Sequence, residues 1–258
     1  MGELLSDCFM YEAYKAKIPL CNIMGVDVAA IDMEWLLLYL DENIHKLAGD
    51  YICVTNVHTA VLASENLTYR AVQNGGVLAI PDGGPLSSVG RRRGFTEMKR
   101  TTGPDLMENI FKVSVEKGYR HFFYGSTEKT LALICNKLEK EYPGIQISGV
   151  HSPPFGSDCD DKILLNMNKV KSDFIWVGLG APRQENWMAA NQGKVNGLMI
   201  GVGAAFDYYA GNIKRAPEWM QNHNLEWFCR LLQDPKRLFW RYLRTNVKFI
   251  WNAVIRGK

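Results

Sequence analysis

Several absences narrow the function of this 258-residue chain before any motif is read. No apolar run approaches the roughly 18 residues that cross a bilayer. The first ten positions carry Glu3 and Asp7, where an export signal is basic and then apolar. A protein that stays in the cytoplasm is expected. The six cysteines, Cys8, Cys21, Cys53, Cys135, Cys159 and Cys229, form no C-x-x-C pair, and the five histidines do not gather around them. Neither disulfides nor structural zinc are expected. No third glycine completes a G-x-G-x-x-G turn after Gly178-x-Gly180 or Gly201-x-Gly203, which speaks against a nucleotide-sugar oxidoreductase or epimerase. Internal repeats and low-complexity segments are missing as well.

What is present is an ordinary globular composition, 47% hydrophobic and 22% charged, with an uneven distribution of charge. The net charge is only +3, yet from Cys229 onward eight lysines and arginines face one acid, Asp234. In the same segment Phe239, Trp240, Leu243, Val247, Ile250, Trp251 and Val254 recur at helical spacing, and Arg237, Arg241, Arg244 and Lys248 form a stripe beside them. Such a helix suits an anionic membrane interface, with Trp240 and Trp251 on the apolar side. The same pattern also suits a terminal helix packed on the body with solvated arginines, or an apolar face that pairs two copies of the chain. Nucleic acid is not an expected partner, because one basic helix without a recognition module is a weak signal.

Upstream, short apolar runs near residues 20–28, 51–57, 77–80, 120–124, 145–150, 173–177 and 197–202 alternate with amphipathic stretches. Residues 120–150 show the unit most clearly. An apolar run leads to Gly125-Ser126-Thr127, which caps a helix reaching about Glu141, and Pro143-Gly144 precedes a second run. Repeated units of this kind predict an α/β fold: a Rossmann-like, mostly parallel sheet with helices on both faces and ligands at the carboxyl ends of the strands. After 211–217 the chain turns helical, aromatic and basic. A catalytic domain over 1–212 and a helical, basic appendage over 213–258 are expected.

Polar groups sit where the strands should end. The run from Trp176 to Trp187 places a strand, a turn of Gly178, Gly180 and Pro182, and the cluster Arg183-Gln184-Glu185 at a helix start. Glycines let backbone approach a ligand, and the first N–H groups of a helix suit phosphate, so the segment reads as a diphosphate cradle or as an ordinary strand-to-helix turn. Asn56 ends another run. Asp82 follows Val-Leu-Ala-Ile-Pro and precedes Gly83-Gly84-Pro85, a position that fits a general base or a turn-capping aspartate. Arg91-Arg92-Arg93 and Lys99-Arg100 supply cations in an expected loop and helix start, mostly as solvated charge. Gly201-x-Gly203 leads to Asp207, placed to accept from a base or sugar or to cap a helix.

These motifs, in this order, resemble the WecG/TagA/CpsF glycosyltransferases, glycosyltransferase family 26. The resemblance runs from about Asn22 to about Leu243. It rests on Asn56, Pro81-Asp82-Gly83, Thr102-Gly103-Pro104-Asp105-Leu106-Met107, the 177–185 segment and Gly201-Val202-Gly203 with Phe206-Asp207. Ala210-Gly211, Arg215-Ala216-Pro217, Leu225-Glu226-Trp227 with Arg230, and Pro235 with Arg237 complete it. It implies transfer of a sugar, typically N-acetylmannosamine or its uronic acid, from a UDP-sugar to a polyprenyl-diphosphate-linked sugar at the inner face of the plasma membrane. It implies Asp82 as catalytic base, Arg100 near the donor diphosphate and Gln184 in the active site. Asn56, Gly83, Gly178, Gly180, Pro182, Arg183, Glu185, Gly203 and Asp207 are then the expected substrate-binding set. Arg237, Trp240, Arg241, Arg244, Lys248 and Trp251 are expected to dock on the membrane. One departure is Val54, where many members carry Thr.

In such a transfer a base removes the acceptor proton on one face of the donor sugar while UDP leaves from the other. Fixed N–H donors and a cation stabilise the departing charge. Asp158-Cys159-Asp160-Asp161 has the look of a metal-binding Asp-x-Asp motif, but it precedes a helical run and reads as a cap. The resemblance also implies transfer without a metal, so no cofactor is expected. The alternative from another class is a catalytically silent UDP-sugar-binding partner of a membrane assembly.

Overall fold

The computed structural model describes residues 18–154, 161–223 and 225–257. Glu3, Asp7, Cys8, Cys159 and residues 158–160 of the acidic run lie outside the described residues, as does the Arg237 side chain. Eight strands form one sheet in the order β1-β2-β4-β3-β8-β7-β5-β6. They are β1 (Leu20–Ile23), β2 (Val26–Ala29), β3 (Tyr51–Thr55), β4 (Leu78–Pro81), β5 (Arg120–Gly125), β6 (Gln146–His151), β7 (Phe174–Gly178) and β8 (Leu198–Gly201). Every neighbouring pair is parallel except β1–β2.

The apolar run at 20–28 is therefore a hairpin, not the single strand its hydrophobicity suggests. Met24 and Gly25 both hold positive φ, 55° and 91°, and turn the chain between the two short strands. Asn22 Nδ2 donates to Asp27 Oδ1 at 2.7 Å across the turn.

Strand side chains alternate between two cores, as a sheet buried on both faces requires. Ile52, Ile80, Phe123, Trp176 and Ile200 pack on one side. Tyr51, Cys53, Phe122, Ile175 and Met199 pack on the other. The expected β-α-β unit is present: Thr127 caps the helix Glu128–Glu141 by accepting from Thr130 N–H, and β6 follows. Among the residues 91–93, Arg91 and Arg92 end a helix (Gly84–Arg92) rather than lying in a loop.

The four central strands end within two residues of one another. Thr55 pairs with Pro81, Cys53 with Gly201, and Val177 with Gly201. The segments after β4, β3, β8 and β7 therefore open onto one crevice at the carboxyl edge, where ligands bind in open α/β sheets.

Candidate active site

Asp82 lies one residue beyond β4, with its N–H donating to Thr55 O at 2.7 Å. Gly83 adopts a φ of 95° and swings the chain into the helix Gly84–Arg92, leaving the Asp82 carboxylate facing the crevice. Asn56 caps the helix that follows β3, Val57–Glu65. Its Oδ1 accepts from His58 and Thr59 N–H at 3.0 and 3.2 Å, and Thr59 Oγ1 accepts in return from Asn56 N–H. The amide nitrogen left over makes a long 3.5 Å contact with Asp82 Oδ2.

On the other side of the crevice, Gln184 ties the turns after β7 and β8 together. Its Oε1 accepts from Gly180 N–H at 3.1 Å and its Nε2 donates to Gly201 O and Glu185 Oε1, both at 2.9 Å. Gln184 N–H in turn donates to Gly180 O, so part of the expected diphosphate cradle is closed on itself. Gly178 is required here, because a Cβ would meet the Phe206 ring at 2.5 Å. Glu185 is fully buried, and burial pushes its carboxyl up from the usual range.

The C-terminal segment forms the outer wall. It comprises helices at Glu218–Asn222, Glu226–Gln233 and Pro235–Phe249, continued by a π-helical stretch at Ile250–Ile255. The helix Pro235–Phe249 packs against Val57–Glu65. Leu238, Phe249 and Ala253 are buried beneath this segment, while Arg241, Tyr242, Thr245 and Asn246 line the crevice. Arg100 joins wall to body: it donates to Glu226 Oε2 at 2.8 Å, Gln221 Oε1 at 3.1 Å and Asp105 Oδ2 at 3.3 Å. Arg215 lies 2.5 Å from Asp105 Oδ1 and 3.8 Å from Glu226 Oε1, which closes a ring of two arginines and two carboxylates.

The cleft is about 1010 Å³, ample for a nucleotide sugar. It brings together Asn56, Asp82, Gly83, Arg100, Gly178, Gly180, Gln184, Glu185, Gly203, Asp207 and Arg241. Pro182 and Arg183 do not line it, nor do Trp240, Arg244, Lys248 and Trp251. Arg244 and Lys248 instead pair with Glu65. Val54 lines the cleft floor with no hydroxyl to offer.

The Asp82 carboxyl holds its proton more tightly than an ordinary aspartate. Its pKa is raised to about 6 by burial first and by Glu226 second, against the opposing pull of the Asn56 hydrogen bond, Arg230 and Arg100. His58, also in the cleft, is lowered to about 4 by burial and then by Arg241, so its ring is neutral near pH 7. Arg230 reaches the cleft beside the Tyr208 ring, 5.8 Å from its centroid. The sequence motifs give Arg230 no role, and the helical stripe sets Arg241 on the membrane side. His58 and Tyr208 carried no sequence signal beyond their type. Among the described residues, no group of three or more His, Cys, Asp and Glu side chains is placed to hold a metal ion. No described helix is long and apolar enough to cross a membrane.

The model of the glycosyl transferase WecG/TagA/CpsF family matches residues 21–258. The chain belongs to this family. Among curated relatives, the N-acetylglucosaminyldiphosphoundecaprenol N-acetyl-beta-D-mannosaminyltransferase of Bacillus spizizenii is 31% identical over 222 residues, which cover 84% of this chain and 82% of the relative. The Bacillus subtilis protein of the same name is 30% identical, covering 80% of this chain and 77% of the relative. That of Staphylococcus aureus is 26% identical, covering 84% and 88%. The family assignment makes this chain a glycosyltransferase.

Proposed function

We propose that this glycosyltransferase moves N-acetylmannosamine, or a related hexose, from a UDP-sugar to a sugar linked through diphosphate to a polyprenyl lipid, with inversion at the transferred carbon. The pathway is cell-surface polysaccharide or teichoic acid synthesis. The names of the relatives support the acceptor class and the sugar. The observation that carries the mechanism is Asp82 itself: a carboxylate facing the cleft, with a pKa raised to about 6, in a cleft that arginines from both the body and the C-terminal wall also line.

In this reading Asp82 takes the proton of the acceptor hydroxyl, and Asn56 orients the carboxylate through its spare amide nitrogen. Arg100, Arg230 and Arg241 stabilise the departing diphosphate, a role in which fixed cations in a water-poor cleft act more strongly than in bulk solvent. With these cations in place no metal is required, so activity should survive a chelator. The turn at Gly178 and Gly180 gives close backbone approach to the donor, and Gly203 and Asp207 contact its sugar or base.

The apolar stripe of the last helix supports docking on the inner face of the plasma membrane. Trp240 is 73% and Val247 61% exposed, and Phe239, Leu243 and Trp251 are exposed beside them. Ile250 and Val254 belong both to this stripe and to the cleft lining, so the apolar surface runs into the mouth of the cleft. A lipid surface is the occupant that suits tryptophans flanked by Arg244 and Lys248.

The test is UDP release from a panel of UDP-sugars, with and without polyprenyl-diphosphate-linked N-acetylglucosamine. Acceptor-dependent release from one donor is expected, and Asp82→Asn should lower it about 10²- to 10⁴-fold while UDP still binds. Full activity in Asp82→Asn would remove it as base. UDP binding with no release from any donor would favour a silent binding partner.

A further inference from the structure

Arg100 is occupied on three sides. Two of its partners are carboxylates, and they are not equivalent. Asp105 is fixed in place: it accepts from Thr102 Oγ1 at 2.6 Å, sits in the first turn of the helix Gly103–Lys117, and is held by Arg215 at 2.5 Å. Glu226 comes from the C-terminal wall, in the first turn of its own helix, and lines the cleft. It holds Arg100 at 2.8 Å with one oxygen, while its other oxygen lies 3.8 Å from Arg215 Nε, just outside hydrogen-bonding distance.

A guanidinium facing two carboxylates has much of its charge offset locally. A diphosphate that takes Arg100 gains most by replacing one of them. Asp105 has no slack, because moving it breaks the Thr102 contact and the Arg215 pair together. Glu226 has an alternative cation within about 1 Å of a normal pairing distance, so its departure from Arg100 leaves no buried charge unpaired.

We infer that Glu226 is a positioning residue that holds Arg100 in the cleft and yields it to the donor diphosphate by turning onto Arg215. The inference rests on the reading of Arg100 as the diphosphate's cation. Glu226 then acts as an internal stand-in for the donor's negative charge. It keeps Arg100 extended toward the cleft, and it gives the C-terminal wall and the nucleotide a shared contact.

The consequence is a sign that a purely structural role cannot produce. If Glu226 only fastened the wall to the body, its loss would loosen the cleft and weaken nucleotide binding. As a competitor for Arg100, its loss should strengthen it. Isothermal titration of UDP into the full chain separates the two. Glu226→Gln should bind UDP about three- to fivefold more tightly than wild type, the scale of a partly exposed charge pair. Glu226→Asp, which keeps the charge but draws it back by one methylene, should fall between them. In an Arg100→Ala background, Glu226→Gln should have no effect on UDP affinity. Weaker or unchanged binding in Glu226→Gln, alongside weakened binding in Arg100→Ala, overturns the exchange and leaves Arg100 as the diphosphate cation. Unchanged binding in Arg100→Ala overturns that reading and the exchange with it. Thermal unfolding of each variant confirms that the comparison is made on folded protein, and Glu226→Asp alone carries the test if the glutamine variant does not fold.

Discussion

In the base role proposed for it, Asp82 has to be ionised to accept a proton, and its surroundings set the pH at which that happens. Burial and the nearby Glu226 raise its pKa to about 6, above the usual value for an aspartate. As pH falls through that value the base is protonated and unavailable, so kcat/KM should show an acid limb near pH 6 and drop about tenfold per unit below it. Arg230 opposes the shift. Arg230→Gln should therefore move the limb to higher pH, in addition to any loss of rate, and a pH–rate profile of both proteins checks the direction. A limb at about pH 4 in wild type would mean that Asp82 sits in a more aqueous setting than its packing indicates.

At the scale of elements, the helix Pro235–Phe249 has two different faces. Leu238, Arg241, Tyr242, Thr245 and Phe249 lie toward the body and the cleft, so truncation before Phe239 would remove part of the cleft wall as well as any membrane contact. Substitutions on the outward face separate the two roles. The triple variant Trp240→Ser, Leu243→Ser, Val247→Ser should keep its UDP affinity but lose most of its partitioning to vesicles containing anionic lipid, read by co-sedimentation. Retained partitioning would assign the face to another occupant, and a dimer that dissociates in the variant would identify a second copy of the chain.

Reading the elements from sequence succeeded where local chemistry marks them. Thr127 caps its helix, Pro143-Gly144 ends it, and alternating apolar runs became β5, β6 and β7. The hairpin β1–β2 escaped because Met24-Gly25 lacks the usual Asn-Gly or Asp-Gly turn signal and the run stays hydrophobic through it. The inward role of Arg241 escaped for a different reason. Helical spacing places it in a basic stripe, and only packing against Val57–Glu65 decides which edge of that stripe faces the cleft. Two of the three partners of Arg100 are beyond local reading, since Gln221 and Glu226 lie more than a hundred residues away in the chain.

For the molecule as a whole, the cleft is built by segments distant in sequence: the strand ends of the α/β body and the helices after residue 217. The ring of Arg100, Glu226, Arg215 and Asp105 fastens them at one end, and Arg93 reaches the Ala253 carbonyl at the other. The helix Pro235–Phe249 lies between its own exposed apolar stripe and the cleft. On the proposed docking, this helix, about 10 Å across, acts as a spacer that holds the cleft at least that far from the bilayer surface. On that reading the length of the link between lipid and reacting sugar sets how the acceptor reaches the cleft. Vesicle-embedded acceptors carrying one inserted sugar before the reacting one should be glycosylated more slowly than the direct conjugate, and the difference should shrink in detergent. Equal rates on vesicles would show that depth is not measured.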